Sequence, residues 1–520
     1  MTRVTGQSHR RPIPHALRVA LLMAAASAWL GWQVAHTEIL FADGLRYIEQ
    51  ARRLERGDWS GGIRRAIDHP VYPLAVATTH RLLGRDDRPE SWQFSAQLAS
   101  AVSGVMLVVP IYLTAAALFG ASGAWLACLW VFLTPVPPHV FGDALSESTF
   151  LLPWTWGLWF GLRFLRDGYV PWLAAAMLAG VLAYLTRPEG LLLPVALTGS
   201  VLLCPFSHAT RLPSRSTLRA VAFLTVAAAC LVASYMIAKG GIGTKPAVAR
   251  LLGLAPSSAP DAVERERPLN SNATTPQTIG AALLATFSAI RGVVTLPLLC
   301  LAVLGFGVTI RRARGARLRP WLLLSLIFVA SLLALARLHA TGGYCAPRHA
   351  LLIGLPTIAA AASGFRSVLA FALRRPPSEL ARRLLPTAPA AFSLMLAGLN
   401  GPALIAPINE GASGYVAAGR WLAKNVPAGD QVVDVTGWSL FYGQQTGYVF
   451  ANLIEAAGDP RARWVVAREA HLAGPWAYCA RLRSLTAGAA LVARFPEDRR
   501  PGQARVSIYH RAIPPRPPIP

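Results

Sequence analysis

A chain of 520 residues that is 54% hydrophobic and 14% charged, with a mean hydropathy of +0.42, has more apolar surface than one water-soluble core can bury. Its formal net charge of +25 would suit a nucleic-acid-binding protein if the cations formed a patch. Instead the arginines sit in short connections between apolar runs, where they meet anionic headgroups, and this leaves nucleic acid off the expected partners.

The apolar runs are about 20 residues long, which matches a hydrocarbon core of about 30 Å. Inside lipid every backbone amide must be satisfied within its own segment, so such runs predict helices. In chain order they fall near 17–36, 95–119, 121–141, 145–165, 170–186, 189–205, 218–238, 293–310, 320–338, 349–372 and 385–406, about eleven spans. The first run has a basic start and small residues at Ala26-Ser27-Ala28, but its length and the spans after it make it an uncleaved anchor rather than a signal peptide. With Arg3, Arg10, Arg11 and Arg18 on the cytoplasmic side, the inner loops carry Arg163 and Arg166, then Arg211, Arg215 and Arg219, then Arg311 to Arg319, then Arg374, Arg375, Arg382 and Arg383. No internal repeat is visible, which weighs against a two-half transporter.

Three segments fall outside the expected membrane part: residues 37–94, a loop near 240–290, and a tail from 407. Residues 255–278, rich in Ser, Pro, Asn and charge, read as a mobile loop. The tail has a helix-like stretch from Tyr415 to Asn425, a turn at Pro427-Ala428-Gly429-Asp430 and a strand-like run from Gln431 to Thr436. The expected fold is an α-helical polytopic membrane protein over 1–406, with a small α/β domain over 407–512 and a disordered Pro-rich end over 513–520. Six cysteines show no C-x-x-C spacing, so neither a zinc site nor a redox pair is expected. Cys345 and Cys479 share the predicted outer side, which permits a bridge between them.

The chemistry-bearing residues gather on that same side. Asp43 follows the first helix directly and would serve as a general base, or equally as a helix cap. In Asp68-His69-Pro70-Val71-Tyr72-Pro73, His69 would contact a phosphate, or the segment is simply a polar turn. Asp143 and Glu147 have i, i+4 spacing at the start of the fourth predicted helix, with a favourable helix dipole as the competing explanation. Thr186-Arg187-Pro188-Glu189-Gly190 interrupts an apolar stretch with a cation and an anion, read as a phosphate-binding Arg with its Glu or as a local ion pair. Gly342-Gly343-Tyr344-Cys345-Ala346-Pro347-Arg348-His349 brings Arg348 to the outer interface, to grip a phosphate or to reach headgroups. Each signal is weak alone, but the topology segregates all of them to one membrane face.

In order and placement these motifs resemble the GT-C superfamily of polytopic glycosyltransferases, which includes protein O-mannosyltransferases and the aminoarabinose transferases of lipid A. The resemblance runs from Asp43 through His-Pro-x-Tyr-Pro (His69 to Pro73), Asp-x-x-x-Glu (Asp143 to Glu147) and Arg-Pro-Glu-Gly (Arg187 to Gly190) to Arg348-His349. The tail, with Trp421-Leu422-Ala423-Lys424-Asn425-Val426-Pro427, is similar to the outer domain of many bacterial members. It implies transfer of a sugar, with inversion, from a polyprenyl-phosphate donor to a hydroxyl of a lipid, glycan or protein acceptor on the outer face. Asp43 would be the base with Glu147 in support, Arg187 and Arg348 would meet the phosphate, and His69, Tyr72, Asp143, Glu189 and Tyr344 would line the substrate site. Many relatives carry a second acid after the first-loop Asp, where this chain has Gly44. No cofactor is expected; a divalent cation would suit Asp and Glu, but no clustered ligand set indicates one. The competing functions are a transporter or flippase of lipid-linked sugars and a non-catalytic envelope scaffold. Arg-dominated basic residues and Ala-rich helices suggest a bacterial inner membrane, where the Asn272-Ala273-Thr274 sequon is accidental.

Overall fold

The computed structural model describes residues 14–203, 215–241, 278–313, 318–342, 345–374, 378–474, 477–496 and 505–512. Tyr344, most of the 240–290 loop, the sequon and the Pro-rich end lie outside the described residues.

The membrane part is built from α1 (His15–Ala35), α2 (Ala42–Glu55), α3 (Val71–Leu82), α4 (Pro89–Met106), α5 (Val108–Phe119), α6 (Ala121–Leu133), α7 (Val136–Gly142), α8 (Glu147–Asp167), α9 (Val170–Tyr184), α10 (Leu192–Leu202), α11 (Arg215–Lys239), α12 (Ile279–Val293), α13 (Leu296–Arg312), α14 (Arg319–Gly342), α15 (Leu351–Arg374), α16 (Glu379–Leu384) and α17 (Ala388–Ile405). Among the described residues, six helical stretches are long and apolar enough to cross a bilayer: His15–Ala35, Pro89–Phe119, Arg215–Lys239, Arg319–Ala340, Pro347–Arg374 and Glu379–Ile405. Two bent pairs raise the number to eight if each is one span. Prolines mark both bends: α6 and α7 meet at 70° around Pro135, and α12 and α13 at 97° just before Pro297. Against the eleven expected runs, the differences are physical. Residues 95–119 form the last part of one 31-residue stretch from Pro89, and α9 and α10, with 15 and 11 residues, are too short to span alone. The chain near 293–310 is a helix entered from a second, nearly perpendicular one.

Helix packing in lipid cannot draw on the hydrophobic effect between helices and relies on close backbone approach at small residues. The crossing of α13 with α15 shows this. A Cβ on Gly305 would stand 1.9 Å from the carbonyl oxygen of Ala360, and one on Gly364 would stand 1.9 Å from that of Leu301. The face of α15 against this crossing is fully buried, including Ala360, Ala361 and Ala362.

The tail adds α18 (Gly414–Asn425), β1 (Gln431–Asp434), α19 (Trp438–Gly443), β2 (Gly447–Tyr448), β3 (Ala462–Arg468), α20 (Glu469–Ala473), α21 (Ala477–Thr486), β4 (Ala490–Phe495) and β5 (Val506–His510). The helix, turn and strand read from Tyr415 to Thr436 are α18, the turn after it and β1. The five strands form one mixed sheet in the order β2-β1-β3-β5-β4, with β1 parallel to β2 and β3, and β5 antiparallel to β3 and β4. Alternation along the strands feeds two cores: Val432, Trp464, Val466 and Ile508 pack with α18 and α19, while Val433 and Val465 pack with Leu482 and Leu485 of α21. Cys345 and Cys479 are both free thiols, so the permitted bridge is absent: Cys479 is buried inside the tail domain.

The first core also takes in Ile39, from the segment between α1 and α2. Around it, Trp438 Nε1 donates to the Leu40 carbonyl (2.9 Å), Asn409 Nδ2 donates to that of Ile39 (2.8 Å), and Glu38 Oε2 accepts from the backbone of Gly411 (2.9 Å) and Ser413 (3.2 Å). The tail therefore grips three residues, Glu38 to Leu40, just ahead of α2.

Gly305→Val should separate α13 from α15 and lower stability by on the order of 2 kcal/mol, whereas Gly307→Val, where an added Cβ meets nothing within 4 Å, should be neutral. Thermal unfolding of the detergent-solubilised protein checks both.

Candidate active site

Four connections converge at one end of the bundle: the entry to α2, the α7–α8 junction, the turn before α10 and the turn before α15. Asp43 sits in the first turn of α2, whose flanking residue is Phe41, so it does not cap the helix. Its Oδ2 accepts from Arg348 Nη2 at 2.6 Å, and its Oδ1 pairs with Arg46 Nη1 at 3.1 Å, one turn along α2. Arg46 Nε reaches on to Asp68 Oδ2 at 3.1 Å. Arg348 is set by the short 3-10 turn Pro347–Ala350 and lies with its guanidinium 4.3 Å from the Phe41 ring centre.

Behind this pair is a second one. Glu147, the first residue of α8, is 3% exposed, and its Oε1 lies 2.9 Å from Arg187 Nη1 and 3.8 Å from Arg348 Nη1. The alignment is that of an ion pair rather than a directed hydrogen bond. Arg187 precedes Pro188 and takes the extended conformation a proline imposes on its neighbour (φ −151°, ψ 143°). That conformation aims its side chain between Glu147 and Glu189, whose Oε1 accepts from Nη2 at 3.0 Å. Arg187 Nη1 also donates to Ser146 Oγ (3.3 Å), which shares a hydrogen bond with the Tyr47 hydroxyl (3.0 Å). Gly190 allows the tight return, since a Cβ there would stand 2.1 Å from the Tyr184 nitrogen.

The result is a connected chain of carboxylates and guanidiniums, Asp68–Arg46–Asp43–Arg348–Glu147–Arg187–Glu189. Burial works to raise the Asp43 carboxyl, but Arg348 and Arg46 outweigh it and hold the group below the usual carboxylate range. Asp43 nevertheless keeps 22% of its side chain exposed, against 4% for Glu147, so it is the acid of the two that a solute can reach.

Residues 68–237 match the family model described as dolichyl-phosphate-mannose-protein mannosyltransferase. No curated protein matches by sequence. Among solved structures, the chain is similar to ArnT from Cupriavidus metallidurans bound to undecaprenyl phosphate, with 16% identity and a TM-score of 0.58 over 94% of this chain and 97% of that one. The chain has the GT-C fold. The archaeal oligosaccharyltransferase AglB from Archaeoglobus fulgidus, in complex with an inhibitory peptide and a dolichol-phosphate, is similar as well, with 12% identity and a TM-score of 0.54 over 93% of this chain and 73% of that one.

Within this GT-C fold, Asp43, Glu147, Arg187, Glu189 and Arg348 come together, and three other predicted residues do not join them. Asp143 is not on the α8 face with Glu147. It follows the end of α7 and turns inward, where its Oδ1 accepts from the backbone of Phe41 (3.0 Å) and Ala144 (2.7 Å) and its Oδ2 lies 3.4 Å from Asn409 Nδ2. Tyr72 is fully buried and spends its hydroxyl on the Ala96 carbonyl (3.0 Å) and Ser100 (3.1 Å). His69 is buried in an aromatic box, 5.0 Å from the Tyr184 ring and 5.4 Å from that of Tyr235. Its neighbours are pinned by Lys239, whose Nζ donates to the carbonyls of Ile67 (3.1 Å) and Asp68 (2.8 Å).

Sequence reasoning did not single out Arg46, Asp68, Tyr47 or Lys239. Arg46 was discoverable as the i+3 partner of Asp43, and Lys239 as a lone cation ending an apolar helix, which needs a buried acceptor. Asp68 carries no local signal for pairing across 22 residues. Among the described residues, no group of three or more His, Cys, Asp or Glu side chains converges as a metal site.

Gly44 is explained by space. A Cβ there would stand 2.8 Å from Leu40 Cδ1 and 2.9 Å from the Ala144 Cβ and carbonyl oxygen, so α2 rests directly on the α7–α8 junction. Gly44→Asp should therefore fail to add a working acid and should cost on the order of 2 kcal/mol, read as a lower unfolding midpoint in detergent.

Proposed function

We propose that this protein transfers a sugar from a polyprenyl-phosphate donor to a hydroxyl group on a lipid, glycan or protein acceptor at the outer face of a bacterial inner membrane. The N-terminus is then cytoplasmic, and the α/β tail lies outside with the charge cluster. The observation that carries this reading is the 2.6 Å contact between Asp43 and Arg348, an accessible carboxylate held by a cation that a phosphate can recruit. The family match over residues 68–237 and the shared GT-C fold support it.

The chemistry follows from the exchange of partners. A hydroxyl is a weak nucleophile until a base takes its proton as the new bond forms. In the resting arrangement Arg348 suppresses the basicity of Asp43. When the donor phosphate enters, Arg348 and Arg187 turn to it, and Asp43 is left with Arg46 and a higher proton affinity at the moment the acceptor arrives. The acceptor oxygen bonds to the anomeric carbon from the face opposite the phosphate, its proton passes to Asp43, and the carbon–oxygen bond to phosphate breaks with its electron pair on the phosphate. Attack from the opposite face inverts the anomeric centre. The two arginines meet the charge that grows on the leaving phosphate, and Glu147 holds both of them in place. In this scheme Glu147 is a positioning residue and no metal takes part.

Purified protein in nanodiscs, given a panel of polyprenyl-phosphate sugars and envelope extract, should transfer sugar. Asp43→Asn should bind donor but turn over at least about a hundredfold more slowly. Equal transfer by both would remove Asp43 from the role of base, and movement of lipid-linked sugar across liposomes without transfer would establish a transporter instead.

The pH dependence has a definite sign. With Arg348 present, Asp43 of the free enzyme stays ionised to below the ordinary carboxylate range, so kcat/KM should hold until the pH has fallen past that range. Arg348→Gln leaves burial dominant, which favours the neutral acid. Its residual activity should therefore lose its acid limb at higher pH than the wild type, as a pH–rate profile will show.

A further inference from the structure

At the end of the bundle opposite the charge cluster, a cavity of about 360 Å³ opens between α5, α8, α13 and the start of α14. One helix links the two places: α8 begins at Glu147 in the active site and reaches the cavity at Leu162, Arg163 and Arg166 in its last turns. A helix of 21 residues is about 30 Å long, so the cavity lies one hydrocarbon thickness from the active site. It belongs to no part of the proposed reaction.

Its walls are of two kinds. Leu118, Leu162 and Trp321 form an apolar wall, and Trp321 is stiffened by edge-on contacts with Phe119 (5.6 Å) and Phe306 (6.1 Å). The rim carries Arg163, Arg166 and Arg312. Asp167 pairs with Arg163 (3.0 Å) and Arg166 (2.8 Å), offsetting one of three charges, and no described carboxylate lies in ion-pair range of Arg312. The Nε of Arg163 is buried with no hydrogen-bond partner among the described residues.

The depth of the cavity follows from its surroundings. Arg163 lies against Trp159 (5.9 Å) and Trp172 (5.5 Å), which continue into Trp156, Phe160 and Tyr169. Such a girdle of Trp and Tyr sits where hydrocarbon meets headgroups. A cavity at that level, apolar below and cationic at the rim, matches one occupant whose charge and oil are similarly arranged.

We propose that it binds an anionic phospholipid of that leaflet, with the arginines around the headgroup phosphate and the Leu118–Leu162–Trp321 wall against the upper acyl chains. Basic pockets between membrane helices on the cytoplasmic side bind such headgroups, and the positive-inside pattern makes this face cytoplasmic. The site is independent of the transfer reaction.

The test is native mass spectrometry of the full-length protein in detergent, titrated separately with phosphatidylglycerol and phosphatidylcholine. Phosphatidylglycerol should be retained and phosphatidylcholine should not. The double variant Arg166→Gln, Arg312→Gln should lose affinity for phosphatidylglycerol by at least about tenfold. Ala117→Trp, which narrows the cavity with every charge in place, should weaken it too and decides the matter if the arginine variant does not fold. Equal retention of both lipids, or undiminished binding by the variants, overturns the proposal. So does displacement of the lipid by excess inorganic phosphate, since that marks a site for a free anion.

Discussion

The end of the molecule that carries the charge cluster depends on charge balance in a place where charge is expensive. Glu147 and Arg187 are nearly sealed from solvent, and an ion left there without its partner would carry a desolvation cost of several kcal/mol. Each acid in the chain from Asp68 to Glu189 is therefore met by a guanidinium, and each guanidinium comes from a different connection of the fold. The turn before α10, the turn before α15 and the start of α2 are held in mutual position by this pairing as much as by packing. In the proposed reaction the same pairing is a source of reactivity, because arginines shared among several carboxylates can turn to a phosphate when one enters.

What the sequence made legible follows the range of the forces involved. Apolar runs set by bilayer thickness located the membrane helices, and the local pattern from Tyr415 to Thr436 located the first helix and strand of the tail. Bends were not legible from hydropathy: Pro135 and Pro297 are visible, but the 70° and 97° angles depend on what each helix packs against. Five of the ionisable residues that the sequence places on one face, Asp43, Glu147, Arg187, Glu189 and Arg348, gather in one charge cluster. Asp143 misled because i, i+4 spacing means one face only inside a helix, and the helix begins at Glu147. Tyr72 stands apart from the cluster, because a tyrosine beside prolines gives no sign that α4 will take up its hydroxyl.

Gly44 shows how a departure from a family pattern is accommodated in three dimensions. Without a side chain there, α2 lies against Ala144, and the backbone of Phe41 reaches the Asp143 carboxylate. Close contact at Gly44 helps to fix the helix that carries Asp43. Arg46 and Asp68 then supply the charge environment from the other side of that helix.

The grip of the tail on residues 38–40 joins parts of the polypeptide far apart in sequence. Ile39 is emitted early in synthesis, and the core that receives it, with Val432, Trp464 and Ile508, is among the last parts to be made. During synthesis the segment before α2 is made well before the tail residues that hold it. A chain cut short before the tail thus loses the contacts on Glu38, Ile39 and Leu40, while Phe41 keeps its hydrogen bond to Asp143.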